Sequence, residues 1–130
     1  LCLRPDATFG EDCAGFAAAK ESGKLICLRL SKAGRLQLDP EHAIDVAAPQ
    51  SLSGCHFDKQ GRVWFGTNLF AGNNIGFVED YQELQKLKIT HVGPVGVGFG
   101  EAIAFAEDDQ VFRFSDTSGS PSLLSKYICR

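Results

Sequence analysis

The stretch CHFDKQGRVWF, residues 55–65, decides the fold that the sequence predicts. Its first three residues lead into the polar segment 58–61, which ends in glycine, and four residues rich in aromatic and β-branched side chains follow. Apolar runs on either side of a short glycine-containing turn are typical of a β-hairpin. The segment therefore predicts two antiparallel strands joined by a tight turn.

Two other parts of the chain show the same pattern of apolar runs on either side of a short turn sequence. Residues 25–30 and 35–39 flank the turn sequence 31–34, and residues 103–105 and 110–114 flank the acidic turn sequence 106–109. The distances between the three turns are unequal, so the pattern predicts recurrent hairpins rather than a regular repeat array. Proline, serine and glycine concentrate in residues 40–54 and 92–100, which we predict to be loops.

An early segment has the features of a helix. Thr8 and Glu11 have capping-box spacing, residues 13–20 are rich in alanine, and Gly23 is placed to end the helix. A second, short helix leading into a strand is expected within residues 79–88. These features predict an α+β fold in which one N-terminal helix packs on a bent antiparallel β-sheet built from hairpins.

Length and cysteine content point to one secreted domain. The chain has 130 residues, so we predict a single domain over 1–130. The five cysteines show no zinc-site spacing and indicate a disulfide framework, the alternative being reduced cysteines of a cytosolic protein. The opening Leu-Cys suggests a mature secreted chain whose signal peptide was removed. The cysteines are Cys2, Cys13, Cys27, Cys55 and Cys129.

Charge and hydropathy limit the classes of partner. The net charge is −3, the isoelectric point is about 5.5, and the 13 basic residues are scattered. Nucleic-acid and anionic-membrane binding need clustered lysine and arginine, so both are disfavoured. The longest apolar stretches are far shorter than the ~20 residues that span a bilayer. We therefore expect a protein partner rather than RNA, and no membrane.

Sites for chemistry are not evident in the sequence. The glycine-rich segment 93–100 lacks the spacing of a phosphate-binding loop, and we interpret it as a surface loop. His42, His56 and His91 show no metal-ligand spacing, and there is no nucleophile-elbow motif. The sequence thus predicts no catalytic residues, no metal and no cofactor.

Aromatic and apolar residues near the hairpins are the candidate binding residues. Strand alternation sends either Trp64 or its neighbour outward; Trp64 is an interface anchor if it faces solvent and a core residue packed on the helix if it does not. Val95, Val97 and Phe99 lie in the glycine-rich segment and are the candidate contacts there.

The C-terminal part of the chain carries a family resemblance. Residues 102–111, followed by residues 117–119 and Cys129, resemble the final strand, histidine segment and terminal cysteine of the small fungal guanyl-specific ribonucleases and ribotoxins. The resemblance extends to the ribonuclease-like secreted effectors of plant-pathogenic fungi. In this register the family's catalytic arginine and C-terminal histidine fall on Ala102 and Thr117. The resemblance therefore implies the fold without the enzyme.

A second register leads to the same conclusion about catalysis. Residues 89–93 are similar to the family's Ile-Thr-His-Thr-Gly segment, but this alignment supplies no arginine either. His56 and Glu79 are then candidate relics of the catalytic base, although neither lies in the family's local pattern. Loss of the acid and of the cation at the phosphate removes both proton transfer and charge stabilisation from such a reaction.

The function predicted from the sequence is binding. We predict a secreted, non-catalytic protein, a fungal virulence effector that engages a host protein through hairpins and loops. The alternatives are an inhibitor that presents segment 40–54 or 92–100 to a host protease, and an active secreted ribonuclease. Cys129 is expected to bond an N-terminal cysteine, with Cys2 the first choice. The unpaired cysteine, one of Cys13, Cys27 and Cys55, would then be free or would link two copies.

Overall fold

A computed structural model describes residues 1–10, 13–46, 51–67, 74–94, 99–106, 110–116 and 122–128. These residues form strands and turns and contain no helix, so no helix among them could cross a membrane. The strands are β1 (Cys2–Leu3), β2 (Gly15–Ala19), β3 (Lys24–Leu30), β4 (Leu36–Asp45), β5 (Leu52–Phe57), β6 (Val63–Thr67), β7 (Asn74–Glu79), β8 (Lys88–Pro94), β9 (Phe99–Phe105), β10 (Gln110–Asp116) and β11 (Leu123–Ile128).

The strands of the described chain form three antiparallel sheets in sequence order. The N-sheet has the order β1-β2-β3-β4, the middle sheet β5-β6-β7-β8, and the C-sheet β11-β10-β9. Strand β5 contacts β2 on one side and β9 on the other, and β6 also contacts β9. The middle sheet therefore lies between the other two sheets and packs against both.

Each sheet boundary contains its own core. The core between the N-sheet and the middle sheet includes Phe16, Leu25 and Phe65, each fully buried. The core between the middle sheet and the C-sheet is built from Trp64, Ile75, Ile103 and Val111. The middle sheet is therefore covered on both faces, and all five residues of β6 are buried.

The α+β prediction is wrong, because the segment expected to form the helix contains β2. Phe16 of β2 pairs with Cys2 on one side and with Cys27 on the other. Helix propensity is a weak preference that strand pairing and core burial override. Residues 80–86 are also not helical: they form turns in which the Glu83 and Lys86 amides donate to carbonyls three residues earlier. The fold is all-β.

The three predicted hairpins are confirmed. They correspond to β3–β4, β5–β6 and β9–β10. The predicted loop 40–54 is wrong in part, because β4 continues to Asp45 and β5 begins at Leu52. Of the predicted loop 92–100, both ends belong to strands and residues 95–98 lie outside the described residues.

Two disulfides join the four cysteines that the structure describes. Cys2 bonds Cys55, and Cys13 bonds Cys27. The predicted bond between Cys2 and Cys129 is therefore wrong, as is the expectation that Cys13, Cys27 or Cys55 is unpaired. The reason is tertiary: β1 pairs with β2 at the boundary with the middle sheet, which brings the Cα atoms of Cys2 and Cys55 to 5.5 Å. Cys129 itself lies outside the described residues.

Candidate functional site

The outward side of the C-sheet is an apolar surface, which we call the C-sheet face. Phe114 pairs with Ala102 of β9 and with Leu124 of β11, and directly paired residues of neighbouring strands share a face. Strand alternation places Phe112 on the same side. The face comprises the apolar residues Ala102, Ala104, Phe112, Phe114, Leu124 and Ile128, together with the polar Gln110 and Lys126, which pair with Ile128 and Phe112.

This face has the reverse of the usual polarity. Antiparallel sheets with one solvated face alternate between apolar residues inside and polar residues outside. In β10 the buried residues include Arg113 and Ser115, whereas Phe114 is 40% exposed. On β11, Leu124 is 69% and Ile128 58% exposed. Arg113 and Ser115 of β10 thus lie inward beside the core residues Ile103 and Val111, whereas Phe114, Leu124 and Ile128 are exposed on the outer side. Large exposed apolar residues on one side of a sheet are typical of a surface that receives a partner.

The buried Arg113 fixes the C-sheet against the middle sheet. Its guanidinium donates to the Thr67 carbonyl (2.7 Å), the Ser53 hydroxyl (2.8 Å) and carbonyl (3.4 Å), and the Ala102 carbonyl (3.0 Å). These oxygens belong to β5, β6 and β9, so one side chain links three strands of two sheets. Burial lowers the pKa of Arg113 to about 10, which leaves it protonated at neutral pH.

A glycine makes room for the guanidinium of Arg113. A Cβ atom built on Gly66 would lie 2.5 Å from Nη1 of Arg113, so no larger residue fits beneath the guanidinium. All four hydrogen bonds of Arg113 end on uncharged oxygens, and its Nε has no partner. The hydrogen bonds from Arg113 to uncharged oxygens of Ser53, Thr67 and Ala102, which we call the Arg113 clamp, therefore attach the C-sheet to the middle sheet and fix the orientation of the C-sheet face.

The outward side of the N-sheet is a second apolar surface, the N-sheet face. The register aligns Leu28 with Leu38, and Leu30 with Leu36, on the side opposite the core residues Leu25 and Cys27. Leu38 is 61% exposed. On this side lie Leu3, Ala17, Ile26, Leu28, Leu30, Leu36, Leu38 and Ala43, together with the charged pair Lys24 and Asp45. Leu3, Leu36 and Leu38 are its most exposed leucines, whereas Leu28 is buried. The outer side of each end sheet thus carries exposed apolar residues beside a few charged ones.

Trp64 occupies a core position. It is 3% exposed, its ring centroid lies 4.8 Å from that of Phe77 and 4.7 Å from that of Phe105, and its Nε1 donates to Asp58 at 2.7 Å. Of the two positions that the sequence allowed for Trp64, the core position is the one found. The element that packs on it is the C-sheet rather than the expected helix. The side chain of Phe99, a residue of β9, and all of Val95 and Val97 lie outside what the structure describes.

The structure does not bring the three histidines together. His56 shares a face of the middle sheet with Trp64 and stacks on Phe105 at 5.8 Å, whereas His91 lies exposed on the opposite face. Burial lowers the pKa of His56, and the nearby carboxylate of Asp58 opposes that shift. Glu79, the other candidate relic of a catalytic base, lies 3.6 Å from the ammonium of Lys88.

His42 belongs to a small polar cluster on the N-sheet. Its Nδ1 lies 2.8 Å from Oδ2 of Asp39, which also accepts a hydrogen bond from Nε of Arg29 at 2.5 Å. The hydrogen bond from Arg29 is the main cause that holds the pKa of Asp39 below its ordinary value. Within the described ranges, no group of three or more histidine, cysteine, aspartate or glutamate residues could hold a metal ion. The cluster is a half-exposed ion-pair network.

Sequence reasoning missed the residues of both apolar faces. The signal lies in residues 112–115, where phenylalanine alternates with arginine and serine; the hairpin pattern alone predicts a strand there but not a binding face. Comparison with known proteins adds no assignment: no family model matches the chain, and no curated protein or solved structure matches it significantly.

Proposed function

We propose that this chain is a non-catalytic binding protein that docks on a protein surface through its C-sheet face. The observation that carries the proposal is the inverted polarity of β10, with Arg113 buried and Phe114 exposed. Removing exposed phenylalanine and leucine from water is favourable by about 25 cal/mol per Å². A contiguous apolar patch on a rigid sheet is a typical protein-interaction site.

The rigidity of the scaffold supports this role. The C-sheet is held by the Arg113 clamp, and the disulfides tie the strands of the N-sheet to each other and to the middle sheet. A surface that is already ordered loses little conformational entropy when a partner binds. Among the described residues, no contact favours the protease-inhibitor or ribonuclease alternative over this one.

The setting in our proposal is extracellular. The two disulfides are compatible with an extracellular protein, since such bonds persist in oxidising compartments. We further propose, as the sequence predicts, that the protein is secreted and acts as an effector whose partner is a host protein. The acidic net charge favours a protein partner over RNA.

The test compares two leucine substitutions. Leu124→Asp places a charge at the most exposed apolar residue of the C-sheet face, on the edge strand β11. Leu84→Asp makes the same change at a leucine that is 36% exposed in the turns before β8. Tagged wild-type and variant proteins are used to isolate partners from the extracellular fluid of the producing organism and its host. Each partner, other copies of this chain included, is then purified and its affinity is measured directly.

We expect Leu124→Asp to weaken binding by about 30-fold or more, the effect of losing an interface anchor, with little change in melting temperature. Leu84→Asp should bind as the wild type does. Partners that bind Leu124→Asp and wild type equally well would show that the C-sheet face is not the contact and would overturn the proposal.

A further inference from the structure

The two boundaries between sheets are held by different contacts. Between the N-sheet and the middle sheet lie a large apolar core and the covalent bond Cys2–Cys55. Between the middle sheet and the C-sheet the described residues form a smaller apolar core and no disulfide, and the buried Arg113 lies among uncharged oxygens. The attachment of the C-sheet therefore depends more than that of the N-sheet on which side chains carry charge.

His56 lies in the boundary between the middle sheet and the C-sheet. It pairs with Trp64 across β5 and β6, so both side chains are on the side of the middle sheet that the C-sheet covers. The half-buried ring of His56 stacks on Phe105 of β9, with 5.8 Å between the ring centroids and 24° between the planes. Protonation of His56 would therefore place a charge against an aromatic ring, where water is partly excluded.

The neighbouring carboxylate compensates this charge only in part. Asp58 attracts a protonated His56, but its carboxylate already accepts hydrogen bonds from the side chains of Arg62 and Trp64. Burial is the larger influence, and it lowers the pKa of His56 below the ordinary value of 6.5. The contact with Phe105 thus favours the neutral imidazole.

The other carboxylates near this boundary are engaged with other cations. Besides Asp58, the ionisable groups of the described residues that face or reach it are Arg62, Glu79 and Lys88 of the middle sheet and Glu101, Arg113 and Tyr127 of the C-sheet. Glu79 lies 3.6 Å from the ammonium of Lys88, and the charge of Glu101 acts on Arg113. A proton on His56 is therefore balanced only by the carboxylate that also binds Arg62.

We propose that His56 is an acid-sensitive contact of the C-sheet: the neutral ring holds β9 against the middle sheet, and the protonated ring loosens the C-sheet while the N-sheet stays attached. The inference does not depend on the proposed function, because it concerns how the C-sheet is held and not what binds its outer face.

The direction of the pH effect follows from proton linkage. A histidine that binds a proton more readily in the opened form than in the closed form favours opening as the pH falls. The stability contributed by neutral His56 is complete above about pH 6.5, the ordinary value, and is lost as the pH falls through the lower pKa of the folded protein.

Hydrogen–deuterium exchange of the purified chain at two pH values tests the inference. Exchange is measured at about pH 7.5 and about pH 5, a range in which ordinary carboxylates remain largely ionised. Each rate is divided by the rate of an unstructured peptide at the same pH. We expect the protection of Gln110–Asp116 in the C-sheet to fall about threefold or more at the lower pH, and that of Lys24–Leu30 in the N-sheet to stay the same.

Two histidine substitutions separate His56 from other titrating groups. His56→Gln cannot be protonated, so the protection of Gln110–Asp116 should be equal at the two pH values, whatever its absolute level. His91→Gln removes an exposed histidine from the opposite face of the middle sheet and should keep the pH-dependent fall of the wild type. If His56→Gln does not fold, His56→Phe replaces it, because this variant keeps an aromatic ring against Phe105 without a titrating group.

Three results would overturn the inference. The first is a His56→Gln variant in which the protection of the C-sheet falls as much as in the wild type. The second is a wild type in which the N-sheet and the C-sheet lose protection equally, and the third is one in which the C-sheet loses none. None of these results affects the proposed function, which fails only if a purified partner binds Leu124→Asp as tightly as it binds the wild type.

Discussion

At the scale of single residues, Asp58 organises the hairpin between β5 and β6. One carboxylate oxygen accepts hydrogen bonds from the amides of Gln60 and Arg62, and the other accepts from the side chains of Arg62 and Trp64. The Asp58 side chain is only 5% exposed. Gly61 completes the turn with a φ of 77°, a conformation that glycine adopts without strain. One acidic side chain therefore ties the turn to the aromatic core.

Asp58→Asn should lower the free energy of unfolding by about 2 kcal/mol, because an amide has one acceptor oxygen and hydrogen bonds to charged groups are the stronger ones. Chemical denaturation followed by Trp64 fluorescence measures the change. The matched control is Asp6→Asn, which alters an exposed aspartate bonded to Arg4 and should have a much smaller effect. Equal effects of the two substitutions would contradict this role of Asp58.

At the scale of elements, one disulfide joins two sheets and the other lies within a single sheet. The Cys2–Cys55 bond joins β1 of the N-sheet to β5 of the middle sheet across 53 residues of sequence. The Cys13–Cys27 bond spans 14 residues and anchors the approach to β2 on β3, within the N-sheet. A longer closed loop restricts the unfolded chain more, so the bond between sheets should stabilise the fold more.

We expect the Cys2→Ala/Cys55→Ala double variant to lose about 4 kcal/mol of stability, and Cys13→Ala/Cys27→Ala about 3 kcal/mol, on the loop-entropy scale. Thermal and urea unfolding of both variants under non-reducing conditions measures the two losses. Both pairs are buried, so the expected difference is assigned to loop length. A larger loss from the Cys13–Cys27 pair would show that local anchoring of β2 outweighs loop closure.

At the scale of the whole molecule, stability should fall from the middle of the stack to its ends. Strand β6 is buried on both faces and hydrogen-bonded to strands on both sides, whereas β11 lies at an edge of the C-sheet with Leu124 and Ile128 exposed. Amides in regions with few buried contacts open without global unfolding, while core amides exchange only when the whole domain opens.

Hydrogen–deuterium exchange should therefore find the amides of Val63–Thr67 the slowest and those of Leu123–Ile128 at least tenfold faster. The measurement is made on the purified chain at low concentration, so that a bound protein does not protect the C-sheet. Comparable protection in the two strands would mean that the three sheets unfold as one cooperative unit. Stability would then not fall from the middle sheet to the end sheets.

The sequence by itself determined the three hairpins, because turn chemistry and strand alternation act over a few neighbouring residues. It also indicated disulfides, but not their pairing, since Cys2 and Cys55 meet only through the packing of two sheets. The segment Gly15–Ala19 looked helical because alanine favours helices locally; only pairing with β3 and burial of Phe16 make it a strand.

The same limit applies to the candidate site. Alternation in residues 112–115 shows that β10 has an aromatic face and a polar face, but a period of two does not say which of them is buried. The position of Arg113 against Ser53 and Thr67 decides it, and those partners are distant in sequence. The sequence does not determine the orientation of Trp64 for the same reason, and packing of its ring against Phe105 of the C-sheet places it in the core. Local pattern fixes which side chains share a face, and only tertiary packing fixes which face meets water.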